Sequence, residues 1–454
     1  MRWTLLSCLV TISILASASQ GEFQVNTHTT WDQKDAAIAT DAAGSFVVVW
    51  NSYRQDGDSG GIFGQRFDPN CRSLGSEFQV NTTTPGNQTE PSVAIDAVGS
   101  FVVAWHGPGI SEEDIFAQRF DPNGQPFGVE FQVNSRTESR QRYPKVTMNT
   151  AGAFTVVWEG EKVEAESSTW VICCRLYDVN GTDVGGEFEV NLEADSRYPD
   201  VAVDGSGNFA VVWMQENSNN SIIARLYDAD GTARMEPFEV STIRFSSITR
   251  PSIAMSDNGH FVVAWDGDPN LASLDDVHAR LYEPNGTAMA EQFTINADRP
   301  GVQQYPAVAM NDSREFVIVW NSRVDPNVNE RDIFGRRYDS LGRAVSGEFQ
   351  VNTYAEADQR YPAVAMKESG EFVAVWESHD QDGSRYGIFG QMMASIGSAD
   401  FSGDGFVDFN DYCILAEEWQ KEENPLRADL IDDDKVDEQD IAEFCYQWLT
   451  SGNE

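Results

Sequence analysis

Basic residues are scarce in this chain of 454 residues: 31 Lys and Arg stand against 72 Asp and Glu, a formal net charge of −41. Binding a phosphate backbone needs clustered cations that displace counterions, so this balance excludes a nucleic-acid role. Histidine is rarer still (His28, His106, His260, His278, His379), and no Ser/His/Asp spacing emerges from it. Of six cysteines, Cys8 lies in the N-terminal apolar run. The other five, Cys71, Cys173, Cys174, Cys413 and Cys445, are an odd set that gives no complete disulfide framework. At best one pair forms, and Cys413 with Cys445 is the expected one. Beyond Gln20 no apolar run is long enough to span a bilayer. Helical periodicity is also missing before Met393. A folded chain is nevertheless indicated, because 41% hydrophobic and 11% aromatic residues exceed what a disordered acidic chain contains. With 36 Gly and 17 Pro, that chain is rich in turns.

Residues 1–20 have the build of a cleaved signal peptide: Arg2 at the positive end, an apolar run from Leu5 to Ala16, and small residues Ala16-Ser17-Ala18 at the cleavage site. The mature protein is therefore expected to be secreted.

Internal repetition dominates the chain from Gly21 to Met393. The tetrad Phe-x-Val-Asn, or a near variant, begins at Phe23, Phe78, Phe131, Phe188, Phe238, Phe293 and Phe349. The near-constant interval marks one supersecondary unit copied in register. Between tetrads the same order recurs: a short run led by Pro, a turn, an apolar run ending in Trp, a loop, and another strand. The tryptophans are Trp50, Trp105, Trp158, Trp213, Trp265, Trp320 and Trp376. Each copy reads as four short strands rich in Val, Ile, Phe and Trp, bounded by turns such as Asp121-Pro-Asn-Gly124. Four antiparallel strands repeated seven times predict a seven-bladed β-propeller over residues 21–393. Burying one Trp contributes about 4–6 kcal/mol before entropy, so the seven are a core signature rather than a ligand platform. Arg66, Arg119, Arg175, Arg225, Arg280 and Arg337 recur as well and are expected to stack on aromatics. The seventh unit stops at its third strand, near Met393, while a tetrad without a unit stands at residues 22–26. Pairing that N-terminal strand with Ile388–Met392 would close the ring and remove two open edges. A β-solenoid, the alternative, needs no such strand.

Loop length separates two faces. Turns between strands one and two and between three and four are short; loops after each Trp, and connections between units, are long and dissimilar. In a propeller both variable classes emerge on one side, where binding residues concentrate. That side holds Tyr143, Tyr198, Tyr305 and Tyr361 with Arg142, Arg197 and Arg360. Aromatics beside carboxylates suit a sugar; the plainer reading is solvated loops with each Tyr packed on the following Pro. A glycosidase needs two carboxylates flanking the bond, and loop acids such as Asp114, Glu159, Asp266 and Glu377 form a pool from which sequence selects no pair. No catalytic residue is therefore assigned.

Composition changes after a linker at residues 394–398. Asp400, Ser402, Asp404, Asp408 and Asp411 occupy positions 1, 3, 5, 9 and 12 of a twelve-residue loop, Gly405 stands at the bend, and Phe406 offers its carbonyl at position 7. Hard oxygen donors at this spacing are an EF-hand-like Ca2+ site. A second loop has Asp429, Asp433, Asp437 and Asp440 at positions 1, 5, 9 and 12 and the Lys435 carbonyl at 7. Ile431 and Asp434 replace the ligand at 3 and the bend Gly, so this site is expected to be weaker. Helical patterns follow each loop, Tyr412 to Trp419 and Ile441 to Leu449. The expected fold class is an all-β seven-bladed propeller plus a small all-α calcium-binding C-terminal module, residues 399–450.

Two such loops in tandem, each with one helix, resemble the type I dockerin module over Ala399–Leu449. The resemblance implies docking to a cohesin-like module on a scaffold or cell surface, commonly by proteins of polysaccharide degradation. At the partner-choosing positions 10 and 11 this chain has Phe409-Asn410 and Glu438-Gln439 in place of the hydroxyl-containing pairs. The reading is then a secreted assembly protein whose tail docks and whose ring binds a glycan or protein. Its rival is a polysaccharide-acting hydrolase or lyase with its site at the ring mouth. Because metal binding and folding are coupled in so small a module, a chelator should unfold Ala399–Leu449 and spare the propeller. Circular dichroism and calorimetry with and without Ca2+ test this; a helical signal and melting unchanged by chelation would refute it.

Overall fold

The computed structural model describes residues 21–395 apart from 111, 165–166, 192–194, 217–219, 243–249, 269–274, 298–300 and 324–329, together with residue 414. The leader, both calcium loops with their helices, and Cys413 and Cys445 lie outside the described residues. Glu22–Ile396 forms one compact unit. Within it, among the described residues, no helix is long and apolar enough to cross a membrane.

That unit is a propeller of seven four-stranded antiparallel sheets. The second blade shows the pattern: an inner strand Thr89–Ile95, then Phe101–Pro108, Glu113–Phe120, and an outer strand of only Phe131–Gln132. The outer strand is shorter than the tetrad because its end is completed by a side chain. Val133 N–H donates to the Ile115 carbonyl at 2.7 Å, and Ile115 N–H donates to Asn134 Oδ1 at 2.7 Å, so Asn replaces the next backbone acceptor. The same asparagine bond recurs at Asn81, Asn191, Asn296 and Asn352, and Ser241 supplies it in the fifth copy of the tetrad. This is why the tetrad reads Phe-x-Val-Asn: an interblade ring, a solvent residue, a core residue and a cap.

Blades adhere through the tetrad Phe. In the first blade Phe46 and Phe67 stack at 4.9 Å; in the second, Phe101 and Phe120 stack at 4.7 Å. The Phe of each preceding tetrad tilts against such a pair, as Phe78 does on Phe120 at 5.5 Å and Phe293 on Tyr338 at 5.6 Å. A second tie runs along the rim. The Glu or Gln before the tetrad accepts an N–H from the previous tetrad's end, as in Thr27→Glu77, Thr82→Glu130 and Ser135→Glu187, each 2.6 Å. All seven Trp are essentially inaccessible. In three blades the indole N–H donates to a buried Gln at the start of the inner strand: Trp158 to Gln141, Trp320 to Gln303 and Trp376 to Gln359.

The N-terminal tetrad does in the seventh blade what its copies do elsewhere. Phe23 pairs with Gly390 and Gln24 with Phe389. Val25 N–H donates to the Ile388 carbonyl at 2.8 Å, Ile388 N–H to Asn26 Oδ1 at 2.7 Å, and Glu22 accepts from Thr353 N–H at 2.7 Å. Phe23 also lies 5.5 Å from Phe67 of the first blade. The sheet order is that of a closed ring, not a solenoid.

The recurrent arginines separate into two sets. Arg175, Arg225 and Arg280 donate to the carbonyls of Val133, Val190 and Val240 of the preceding tetrad, and in the sixth blade Arg336 does so, to Ile295. Arg175, Arg225 and Arg280 also lie over Tyr177, Tyr227 and Tyr282 at 5.9, 5.6 and 5.7 Å, while Arg337, one register position on from Arg336, covers Phe372 at 4.8 Å, and Arg119 covers Phe127 at 4.9 Å. One slip along a strand reverses the face. Cys71, Cys173 and Cys174 are buried free thiols.

Truncating Phe23 to Ala is expected to destabilise the propeller by about 3 kcal/mol, as much as Phe293→Ala in an interior blade junction. Urea melts followed by Trp fluorescence compare the two; a silent Phe23→Ala beside a damaging Phe293→Ala would refute closure by residues 22–26.

Candidate functional site on the propeller axis

Six of the seven inner strands open with a kink. In six of the blades the pairing register slips at the same place, between Lys34 and Ala37, Thr89 and Ser92, Arg142 and Lys145, Arg197 and Asp200, Gln304 and Ala307, and Arg360 and Ala363. The bulged residue has left-handed φ: Asp35 57°, Glu90 51°, Tyr143 52°, Tyr198 49°, Tyr305 56° and Tyr361 51°. Non-glycine residues rarely adopt this geometry, and the strain has to be held by the surroundings. Here the holding group is the side chain after the core Trp of the neighbouring blade. Asp35 N–H donates to Glu377 at 2.8 Å, Tyr198 N–H to Glu159 at 2.6 Å, Tyr305 N–H to Asp266 at 3.3 Å and Tyr361 N–H to Asn321 at 3.4 Å. Tyr143 N–H donates to His106 Nδ1 at 3.4 Å. Burial, with Arg142 nearby, lowers the His106 pKa to about 4, so the ring is neutral and able to accept.

The six kinks turn Asp35, Glu90, Tyr143, Tyr198, Tyr305 and Tyr361 toward the axis, and Arg250 joins them from the equivalent position of the fifth blade, where no such kink is seen. With Lys34, Lys145 and Arg360 they line a cavity of about 520 Å³ at the end where the variable loops emerge. Tyr305 and Tyr361 meet edge-on at 4.6 Å, Tyr143 and Tyr198 at 5.5 Å. Bulges commonly re-aim side chains beside binding sites, and here six blades use one slot for that purpose.

Electrostatics in the wall are set by burial. Glu90 is raised to about 7 by burial and by the charge of Asp35, and burial raises Asp35 as well. Glu377 is raised to about 8 by burial and by Asp35, against the pull of Arg360, whose Nε lies 3.0 Å away. Asp266 is raised to about 8 by burial, with Asp275 adding to it. Burial raises Glu159 too, opposed by the Tyr198 N–H and by Arg142 and Arg197. These two arginines stack on Trp170 at 3.9 and 4.4 Å. Arg360 lies 3.8 Å from the Tyr386 ring. Closer to solvent, Trp31 is 39% exposed, with Arg385 5.2 Å and Arg54 5.7 Å from its ring.

The four tyrosines expected on the variable face therefore share one cavity, which the prolines that follow them also line. Of the loop acids, Glu159, Asp266 and Glu377 converge around the axis as acceptors for the kinks. Asp114 does not; it accepts from Asn134 Nδ2 at 2.7 Å and from Ile110 N–H at 3.1 Å. Asp35, Glu90 and Arg250 were not singled out from sequence. Glu90 and Arg250 precede Pro91 and Pro251 just as each tyrosine precedes a Pro, so aligning the repeats on that dipeptide finds them. Among the described residues, no group of three or more His, Cys, Asp and Glu gathers as a metal site.

No protein-family model matches the chain, and neither does any curated protein. Among solved structures it is similar to a protein of unknown function from Dyadobacter fermentans at 10% identity and TM-score 0.48, covering 82% of this chain and 98% of that one. An ulvan lyase, a polysaccharide lyase solved with a bound saccharide, aligns at 11% identity and TM-score 0.49, with 84% and 95% covered. An α-L-arabinanase from Penicillium chrysogenum aligns at 12% identity and TM-score 0.44, with 66% and 92% covered.

The raised carboxyls fix a pH dependence. The folded protein keeps protons on Asp266 and Glu377 that the unfolded chain releases near pH 4, so their effect on stability is most favourable below about pH 4 and declines as pH rises toward 8. The slope is at most about 1.4 kcal/mol per pH unit for each proton. Asp266→Asn keeps an acceptor for the Tyr305 N–H and should lessen the loss of stability between pH 5 and 8. Urea midpoints at several pH values check this, and parallel curves for variant and wild type would contradict it.

Proposed function

We propose that this is a secreted glycan-recognition protein, with a binding site at the axial mouth of the propeller and a calcium-binding, dockerin-like C-terminal module that docks to a cohesin-like partner. The observation that supports the first part is the convergence of four tyrosines, one arginine and two carboxyl groups, from the equivalent position of all seven blades, in one cavity of about 520 Å³. Tyrosine faces suit the C–H faces of a pyranose and hydroxyl and carboxyl groups its rim, while a rigid ring lowers the entropy of binding. The second part rests on the loop spacing of Asp400–Asp411 and Asp429–Asp440, with Ca2+ as the ion.

A second reading, hydrolysis of O-glycosyl bonds, draws on the Asp35 and Glu90 pair. Burial raises both, and the charge of Asp35 pushes Glu90 further, to about 7, so Glu90 can hold a proton beside an ionised Asp35, the division of labour a glycosidase needs between acid and base.

A polysaccharide panel decides between them. Binding without turnover, weakened about three- to tenfold by Tyr198→Ala and by Tyr305→Ala, is expected of recognition. Turnover abolished by Glu90→Gln would establish the enzyme instead, and no polysaccharide bound or cleaved would defeat both.

A further inference from the structure

One of the seven ring positions differs from the others in kind. Arg250 is the single cation among them, in the slot that tyrosine fills in four blades. Its Cζ lies 4.7 Å from the centroid of Tyr198, 5.4 Å from that of Tyr143 and 5.8 Å from that of Tyr305. Pro251 follows it and restricts the backbone from which the side chain leaves. Among the described residues no hydrogen bond or ion pair engages this guanidinium. Glu90, across the ring, is the carboxylate whose charge it feels most, without contact. An arginine held by aromatic faces keeps its planar edge of N–H donors for a ligand.

A planar anion with two oxygens matches that edge through paired N–H···O bonds. Lys34 and Lys145 add positive charge to the same wall. The tyrosines call for a sugar ring beside the anion, and the net charge of −41 disfavours a polyanion. We propose that the axial cavity seats the carboxylate of an isolated acidic sugar unit on Arg250, within a glycan whose neighbouring units are uncharged. This rests on the glycan-binding reading above and adds what sets its specificity.

A dependence on pH follows from the groups around Glu90, which are Asp35, Arg250, Lys145 and Glu159. A uronate is ionised throughout the neutral range. Glu90 ionises near pH 7, and once charged it competes for Arg250 and repels the ligand. Affinity for the acidic unit should fall from pH 6 to pH 8.

The test titrates the full chain with glucuronoxylan and an uronate-bearing arabinogalactan, each native and carboxyl-reduced, and with polygalacturonate as the polyanion. The native polymer is expected to bind at least tenfold tighter than its reduced form. Arg250→Gln should erase that difference, Arg250→Lys should restore part of it, and Glu90→Gln should hold the affinity at pH 8 near its value at pH 6. Glu90→Gln leaves the arginine in place, so the pH profile remains informative if Arg250→Gln unfolds. Equal binding of native and reduced polymers would overturn the carboxylate assignment and leave the glycan reading standing. Tightest binding to polygalacturonate would overturn the isolated unit, and no binding of any polymer would remove both readings.

Discussion

The hydrogen bond from Val25 N–H to the Ile388 carbonyl, with its return from Ile388 N–H to Asn26, joins the two ends of the repeat array. Seven wedge-like sheets have a shared axis only when the last meets the first. Phe23 adds the apolar half of the joint by packing on the aromatic pair of the first blade. The closing residues reuse the tetrad found at every other junction, so the seam has the chemistry of an ordinary interface. The kinks and the side chains they aim inward depend on that shared centre.

Burial and strain are combined at the axis. The left-handed residues are held by acceptors buried behind the cavity wall, and three of those acceptors are buried carboxyls, Glu159, Asp266 and Glu377. Desolvation favours their neutral forms, which still accept a backbone N–H, so the wall holds its shape without accumulating negative charge. That matters in a molecule so acidic overall. Within this setting Arg360 is met by Glu377 and Asp358, whereas Arg250 meets aromatic faces instead of an acid.

Much of the architecture was legible because the signals were periodic. The Phe-x-Val-Asn tetrads, the Trp spacing and the orphan N-terminal copy each have a direct structural counterpart: an interblade ring, a core plug and the closing strand. The site was legible only in part. Tyr143, Tyr198, Tyr305 and Tyr361 stood out as a set, but their convergence depends on a bulge that hydrophobic pattern does not reveal. Asp35, Glu90 and Arg250 break the repeat at the same slot, and a reading tuned to recurring residues passes over the exceptions. The six recurrent arginines were grouped as one set although Arg66, Arg119 and Arg337 share one register and Arg175, Arg225 and Arg280 share the next, that of Arg336, a one-residue difference that a variable repeat length conceals. The calcium loops, legible as spacing, rest on sequence.

Six of the seven outer strands contain only two residues, their ladders ended by an Asn or Ser side chain instead of open backbone. The exception is the third blade, where Asp183–Glu189 runs for seven residues. A perimeter so poor in free backbone donors and acceptors offers foreign strands almost nothing to zip onto. Propellers of this kind can be crowded together without fusing edge to edge, and the one flank where such fusion has purchase is guarded by Asp183, Glu187 and Glu189.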